Sequence, residues 1–146
     1  MASDEWLAKE DVGKLAYQQG GNMAGKYYRE LIVWRKGITL AREVYTLTKG
    51  FPRSEKYGLA SQVQRAAVSV PSNIAEGQAR KYTAEFRQFL YQALGSLAEV
   101  DTQLFLAQDL QYVGKADVAR AELLIGELQK MIYALLARLQ HVKERH

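Results

Sequence analysis

The chain has 146 residues, of which 48% are hydrophobic and 25% are charged, and its formal net charge at pH 7 is +4. These values are typical of one globular domain with a hydrophobic core of its own. The sequence has no cysteine, which excludes disulfides and thiolate metal sites, and no apolar run of about 18 residues, which excludes an obvious transmembrane helix.

The first 25 residues differ in character from the rest. Four apolar residues there are compatible with a short amphipathic helix, namely Trp6, Leu7, Val12 and Leu15. Three glycines, Gly20, Gly21 and Gly25, then indicate a flexible joint. We treat residues 1–25 as an N-terminal appendage, which is native, vector-derived or a docking peptide, and residues 26–146 as the main domain. No basic and apolar leader opens the sequence, so we expect a cytoplasmic protein.

The first strong helical pattern starts at Leu31. One apolar stripe, predicted to face the core, consists of Leu31, Trp34, Ile38, Ala41, Tyr45 and Thr48. A second stripe on the same segment consists of Val33, Leu40, Val44 and Leu47 and makes the apolar face unusually wide. Gly50, Phe51 and Pro52 predict the end of this helix.

A second helix is predicted to start near Ser54, a candidate N-cap, and to stop at Gly77. Its inward stripe consists of Leu59, Val63, Ala66, Val70 and Ile74. Pro71 lies inside this helix, where a proline removes one backbone hydrogen bond and clashes with the carbonyl of Ala67, at a cost of about 3 kcal/mol. The fold must therefore compensate for Pro71.

A polar cluster surrounds this proline, formed by Ser69, Ser72, Asn73 and Glu76. We expect Asn73 or a serine hydroxyl to satisfy the carbonyl groups that Pro71 frees. Glu76 is expected to pair with a basic residue such as Arg80 or Arg65. A binding pocket at the helix kink is the alternative interpretation.

Two more helices complete the pattern. The third is predicted to begin after Thr83, with Phe86, Phe89, Leu90, Ala93, Leu97, Val100 and Leu104 facing inward. The fourth follows a turn at Gly114, with Asp117 near its start, and its stripe consists of Val118, Ala121, Ile125, Leu128, Ile132, Leu135, Leu139 and Val142. Such 3,4 spacing is typical of helix bundles. The sequence thus predicts an all-α, antiparallel up-down-up-down four-helix bundle.

Some apolar residues do not belong to the stripe that each helix is predicted to turn towards the core. They are Val33, Leu40, Val44, Leu47, Leu124 and Met131. A helix that is apolar on more than one side is usually buried on more than one side. These six residues are therefore predicted to form contacts in a homo-oligomer, and a broad core face within one chain is the alternative.

Positive charge is concentrated in the first half of the domain. Residues 26–81 carry eleven Lys and Arg against four Glu, a balance of +7, whereas residues 1–25 carry −2 and residues 82–146 carry −1. Such a distribution suits a nucleic acid or an acidic protein as partner, and an ordinary solvated surface is the alternative. The candidate phosphate-binding residues are Arg35, Lys36, Arg42, Arg65, Arg80, Lys81 and Arg87.

No catalytic or metal-binding constellation stands out. The only histidines are His141 and His146, near the end of the sequence, so neither a di-iron motif nor a histidine-based triad is expected. Gly20–Tyr27 matches G-x-x-x-x-G-K, but Tyr27 stands where the phosphate-binding loop needs Ser or Thr. We expect no enzyme, no cofactor and no metal.

Three segments carry a family resemblance, Leu31–Tyr45, Phe51–Arg80 and Glu85–Leu104. Within the second, FP-x-x-E-x-YGL is followed by AAVS-x-PSNIAEG. With these motifs the chain resembles the 23S rRNA intervening-sequence proteins over roughly residues 28–139. One departure is Gln64, where that family usually has a second arginine beside Arg65.

The resemblance implies a four-helix bundle that assembles into a ring, with five subunits expected. The family is also similar to accessory variability determinant proteins of diversity-generating retroelements, which bind nucleic acid and a partner reverse transcriptase. Two hypotheses follow for this chain. The first is a non-catalytic homo-oligomer that binds structured RNA or an RNA–DNA hybrid through its basic surface, and the second is an adaptor for a protein such as a reverse transcriptase. No membrane partner is expected.

Overall fold

The computed structural model describes residues 28–144, so the predictions for residues 1–25 and for Gly20–Tyr27 lie outside the described part. Within it the chain forms four α-helices and no strand, which confirms the all-α class. The helices are α1 (Ile32–Thr48), α2 (Leu59–Gln78), α3 (Thr83–Asp109) and α4 (Lys115–Glu144). Short 3₁₀ turns cover Tyr28–Glu30 and Arg53–Glu55. None of these helices is both long and apolar enough to cross a membrane.

Each helix packs against two others in a closed cycle, α1 with α2, α2 with α3, α3 with α4, and α4 with α1. A continuous apolar interior lies between them. Its largest fully buried side chains include Leu40, Ile74, Phe86, Leu90, Leu97, Leu104, Leu128, Ile132 and Leu139. Burying one such side chain contributes about 1.5–3 kcal/mol, so this interior is the main stabilising element of the fold.

The predicted stripe of α2 is buried throughout, and so is that of α4 from Val118 to Leu139, whereas both stripes of α1 contribute to the interior. Val33, Leu40, Val44 and Leu47 are all buried. Leu31, Ala41 and Thr48 of the other stripe are buried as well, but its Tyr45 is 47% exposed. The reason is that α1 packs against both α2 and α4, so its core side has to be wide. All six residues predicted to contact another subunit, Leu124 and Met131 included, are buried within one chain. That burial leaves none of the six exposed for a contact between subunits.

The ends of α2 differ from the prediction at both termini. The region around Ser54 forms a 3₁₀ turn, and α2 itself starts at Leu59. Gly77 lies inside the last turn instead of ending the helix, and its backbone packs closely against α3. A Cβ atom at Gly77 would lie 2.7 Å from Phe89 Cβ and 2.8 Å from Phe86 Cδ1. Gly77 is therefore required for close packing of two helices.

The connections at one end of the bundle are tied together by Glu55. Its Oε1 accepts a hydrogen bond from the Leu59 backbone N–H at 3.0 Å, and its Oε2 accepts one from the Tyr112 hydroxyl at 2.8 Å. The Tyr112 ring also packs against Phe51, with ring centroids 5.6 Å apart. Glu55 thus satisfies an otherwise unpaired N–H in the first turn of α2 and links the α1–α2 and α3–α4 connections.

Candidate nucleic-acid interface

Three basic residues follow one another along the outward side of α1, and the last of them is its C-cap residue, Lys49. Arg35, Arg42 and Lys49 are all exposed and are spaced seven residues apart. Seven residues make nearly two helical turns and advance about 10.5 Å, so the three side chains lie in line on one face. We call them the basic stripe. Lys49 was not among the residues predicted from the sequence, although the spacing of seven residues was a signal for it.

Little negative charge opposes the basic stripe. The only carboxylate of α1 is that of Glu43, which faces α4 and lies 3.7 Å from Arg120 Nε. Arg35 donates its Nε–H to the Arg29 carbonyl at 2.9 Å, which holds its guanidinium at the start of the helix. Among the residues that the structure describes, neither Arg42 nor Lys49 has an ion-pair partner. The stripe therefore presents largely uncompensated positive charge to solvent.

Apolar side chains lie beside the basic stripe, on the side of α1 that meets α2. Tyr45 is 47% exposed and Val68 of α2 is 42% exposed. Trp34 is partly buried against the core, and Ile38 is half-buried. Exposed tyrosine beside arginine is an arrangement on which an unpaired base can stack.

Arg65 extends the basic surface onto α2. Its neighbour Gln64 donates a side-chain hydrogen bond to Thr48 Oγ1 at 2.9 Å, which places this part of α2 beside the C-terminal end of α1. Gln64 itself carries no charge. Here the residue joins two helices, and exposed Arg65 alone supplies the charge.

Lys36 belongs to a different environment. Its Nζ lies 3.1 Å from Glu127 Oε1 of α4, and the two side chains are 30% and 42% exposed. This ion pair neutralises the charge and joins α1 to α4. Lys36 is therefore better explained as a structural residue than as a phosphate ligand.

The remaining three basic candidates lie around the α2–α3 connection, apart from the basic stripe. Arg80 is 3.9 Å from carboxylate oxygens of both Glu76 and Glu85, and its guanidinium stacks over the Phe89 ring at 4.9 Å. Lys81 is exposed, and partly buried Arg87 has an Nε atom without a hydrogen-bond partner among the described residues. Two carboxylates thus compensate much of the charge here. The structure divides the seven candidates among three places: the outer side of α1 and α2, the α1–α4 contact of Lys36, and the α2–α3 connection.

The polar cluster at Pro71 makes structural contacts. Asn73 Nδ2 donates to the Ser69 carbonyl at 2.8 Å, and Ser69 Oγ donates to the Ala66 carbonyl at 2.7 Å. Neither bond reaches the carbonyl of Ala67, so that part of the prediction was wrong. Ser69 Oγ also lies 2.6 Å from Ser96 Oγ of α3, which joins the two helices. Ser72 is exposed, and Glu76 pairs with Arg80 as expected.

An open depression of about 350 Å³ lies at the end of the bundle that Glu55 organises. It is lined by Glu43, Thr46, Leu47, Gly50, Tyr112, Val113 and Asp117. Both carboxylates are engaged, since Glu43 faces Arg120 and Asp117 Oδ2 accepts a hydrogen bond from the Gly114 N–H at 2.8 Å. Among the described residues no three His, Asp or Glu side chains are grouped so that they could hold a metal ion.

Fold and surface together define a small four-helix protein with an exposed cationic line on its first helix. A family model described as 23S rRNA-intervening sequence protein matches residues 29–134, well over half of the sequence. The chain belongs to this family, as the motifs at Phe51–Arg80 had indicated. No curated protein matches the chain.

Proposed function

We propose that this protein is a non-catalytic, cytoplasmic homo-oligomer that binds RNA or an RNA–DNA hybrid through the phosphate backbone. The observation that carries the proposal is the basic stripe, three cations in line on the exposed side of α1, with Arg65 beside them on α2. The spacing of about 10.5 Å between successive cations allows each side chain to reach a different phosphate.

Binding of this kind depends strongly on salt. Each phosphate contact releases condensed counterions, so log K falls with log salt concentration by about 0.9 per contact for a duplex. Four contacts, from the basic stripe and Arg65, predict a loss of about 100-fold in affinity between about 50 and 200 mM salt for one subunit. Several subunits acting together would steepen this dependence.

The proposal is tested by measuring the affinity for a duplex RNA and for an RNA–DNA hybrid at several salt concentrations. Replacing Arg35 and Arg42 by glutamine is expected to reduce the salt slope by about 2 for one subunit. The matched control replaces the exposed Lys115 and Lys130 of α4 by glutamine, which removes the same charge elsewhere. Affinity that persists at high salt, or an equal effect of the control, would contradict the role of the basic stripe.

We further propose that the helices alternate in direction and that subunits assemble into a ring. Two ion pairs between α1 and α4 support alternation: Lys36 contacts Glu127, and Glu43 contacts Arg120. The later residue of α1 contacts the earlier residue of α4, so these two helices run in opposite directions. Large exposed apolar residues of α3 and α4 are suited to contacts between subunits: Tyr91, Phe105, Leu106, Leu110, Leu123 and Tyr133. The family resemblance supports a ring of five.

Gly95 of α3 and Gly126 of α4 also support contacts between subunits through these two helices. A Cβ atom at either position would meet no atom of the described residues within 4 Å, so none of those residues requires glycine there. A glycine inside a helix costs about 1 kcal/mol relative to alanine. Close approach of another helix in the assembly would explain why both positions lack a side chain.

An adaptor for a protein such as a reverse transcriptase is the second candidate function. The exposed apolar residues of α3 and α4 favour it, because a surface of this kind also suits a protein partner. Titration with a purified reverse transcriptase separates the two functions. Binding that Phe105→Glu abolishes and that Arg42→Gln leaves unchanged would support the adaptor.

A further inference from the structure

Tyr57, in the connection between α1 and α2, has the most exposed large apolar side chain of the described residues. It is 88% exposed, and no other such side chain among these residues exceeds 70%. An exposed ring contributes little to the free energy of folding, since burial is what stabilises an apolar side chain. Single exposed apolar residues are common on protein surfaces, so the surroundings of Tyr57 decide what its ring can do.

The backbone that carries Tyr57 is held on both sides. The Glu55 N–H donates to the Pro52 carbonyl at 2.9 Å, and the Gly58 N–H donates to the Glu55 carbonyl at 3.0 Å. The Glu55 carboxylate ties this turn to α2 and to the α3–α4 connection. Gly58 leaves room for that carboxylate, because a Cβ atom there would lie 2.6 Å from Glu55 Oε1. A ring on backbone held in this way loses little conformational freedom when it binds a ligand.

Two cations accompany the ring. Arg53 and Lys56 are exposed, and neither has an ion-pair partner among the residues that the structure describes. Lys56 Nζ lies over the Tyr57 ring, 5.5 Å from its centroid. Glu55 is the only acid between Lys49 and Tyr57, and both of its carboxylate oxygens already accept hydrogen bonds. An aromatic ring with unpaired cations beside it suits a nucleic-acid strand, whose bases stack and whose phosphates carry negative charge.

This connection continues the basic stripe. Lys49, the last residue of the stripe, precedes Arg53 by four residues, and Arg53 precedes Tyr57 by four. Four residues span at most about 14 Å, even when extended. A strand whose phosphates follow the stripe towards the C-terminal end of α1 therefore comes within reach of Tyr57.

We infer that Tyr57 stacks on an unpaired base, with Arg53 and Lys56 binding the neighbouring phosphates. The bases of a duplex are stacked on one another, whereas unpaired bases offer a free face to an aromatic side chain. The protein then prefers a duplex that continues into a single strand over a fully paired duplex. This inference rests on the proposed function, because the basic stripe supplies the contacts to the duplex.

The α2–α3 connection provides a matched control. It carries the same pair of residue types, with Lys81 Nζ 5.5 Å from the Tyr82 ring centroid and Tyr82 61% exposed. Carboxylates of Glu76 and Glu85 lie beside Arg80 in this region and compensate its charge. Removal of the Tyr82 ring is therefore expected to leave nucleic-acid affinity unchanged.

The test compares three RNA probes at one salt concentration: a fully paired duplex, the same duplex with a single-stranded adenosine tail, and the duplex with an equally long tail that lacks bases. The unmodified chain is expected to bind the adenosine tail about 10-fold more tightly than the tail without bases. Tyr57→Ala should abolish this preference. Tyr57→Phe, which keeps the ring, and Tyr82→Ala should both retain it.

Salt dependence tests the cations separately. Lys56→Gln should reduce the slope of log K against log salt concentration by about 0.7 for the adenosine-tailed probe, the value for one contact to a single strand. The fully paired duplex should show no such change. An equal reduction for the fully paired duplex would overturn the inference, because Lys56 would then contact the duplex.

Equal affinity for the two tailed probes, or a preference that survives in Tyr57→Ala, would also overturn the inference. If the paired duplex still binds in a salt-dependent way, the proposed function stands in that case. Altered sedimentation of Tyr57→Ala would count against the inference too, since the ring would then lie in a contact between copies. If no probe binds at low salt, the proposed function fails and this inference fails with it.

Discussion

Gly37 of α1 lies directly against the Pro71 ring of α2. A Cβ atom at position 37 would be 3.2 Å from Pro71 Cβ and 3.4 Å from Pro71 Cα and Cδ. Pro71 is buried, so the ring that interrupts the hydrogen bonding of α2 fills the space that the missing side chain of Gly37 leaves. Part of the cost of a proline inside the helix is therefore offset by packing between α1 and α2.

Replacing Gly37 by alanine is expected to destabilise the protein by about 1 kcal/mol. The rigid proline ring cannot rotate away, so α1 and α2 must separate, and this outweighs the higher helix propensity of alanine. Urea unfolding measures the change. Gly95→Ala is the control, since its Cβ would meet none of the described atoms within 4 Å. Measured on single subunits, at concentrations too low for assembly, it should stabilise the chain by up to about 1 kcal/mol. Stabilisation by both substitutions would contradict close packing at Pro71.

Replacing Gly77 by alanine should be more harmful, with a loss of about 2–3 kcal/mol. The new Cβ would lie 2.7 Å from Phe89 Cβ, and the backbone oxygen of Phe86 is only 3.3 Å away, so backbone has to move. Unfolding in urea measures this loss. If Gly77 only ended the helix, as the sequence had indicated, alanine would cost about 1 kcal/mol or less.

Glu55 makes stability depend on pH at acidic values. The hydrogen bond from the Leu59 N–H, and then the one from Tyr112, lower the pKa of Glu55 below its ordinary value of 4.5, and burial opposes them. Because the pKa is lower in the folded chain, the stabilisation is complete above about pH 4.5 and is lost as the pH falls through the lowered value. Glu55→Gln should flatten this dependence when unfolding is followed from about pH 6 to about pH 3. An unchanged acid profile would show that the carboxylate contributes nothing.

Gln111 has a left-handed backbone conformation, with φ of 64°. It follows the C-terminus of α3, where the Tyr112 N–H bonds to the Ala107 carbonyl at 2.9 Å, and glycine is favoured at such a position. Gln111→Gly is expected to stabilise the chain by about 1 kcal/mol. Gln108→Gly, inside the helix, should destabilise it by a similar amount. Thermal unfolding of both variants compares the two effects.

Assembly through α3 and α4 predicts that a charge at Tyr133 disrupts the oligomer. Tyr133 is 60% exposed, and Tyr133→Glu should yield single subunits in sedimentation velocity, since an unpaired carboxylate is costly in an apolar contact. Tyr57→Glu is the control, because Tyr57 is 88% exposed in the α1–α2 connection. An unchanged oligomer in the first variant would place the contact elsewhere.

The sequence predicted some helices much better than others, for a physical reason. In helix α4 every predicted inward residue from Val118 to Leu139 is buried, although Leu124, Met131 and Leu136 are buried beside them. Helix α1 has two stripes, and periodicity alone does not say which residues of the two face the interior. That choice depends on α2 and α4, which α1 contacts through residues distant in the chain.

The candidate site was predicted in part. Arg35, Arg42 and Arg65 were named from the sequence and are exposed on α1 and α2, with Lys49 added by the structure. Lys36 was misinterpreted because its partner Glu127 is 91 residues away. No local sequence pattern predicts an ion pair between residues so far apart in the chain.

Helical class, family membership and the concentration of charge in residues 26–81 are properties of composition and short-range spacing, so the sequence determined them by itself. The inward stripe of α1, the contact between Gly37 and Pro71, and the division of the basic residues into paired and unpaired ones were decided by the tertiary structure. Each of these depends on which distant residues meet. Helical periodicity fixes the direction of a side chain relative to its own helix, and only packing fixes what lies in that direction.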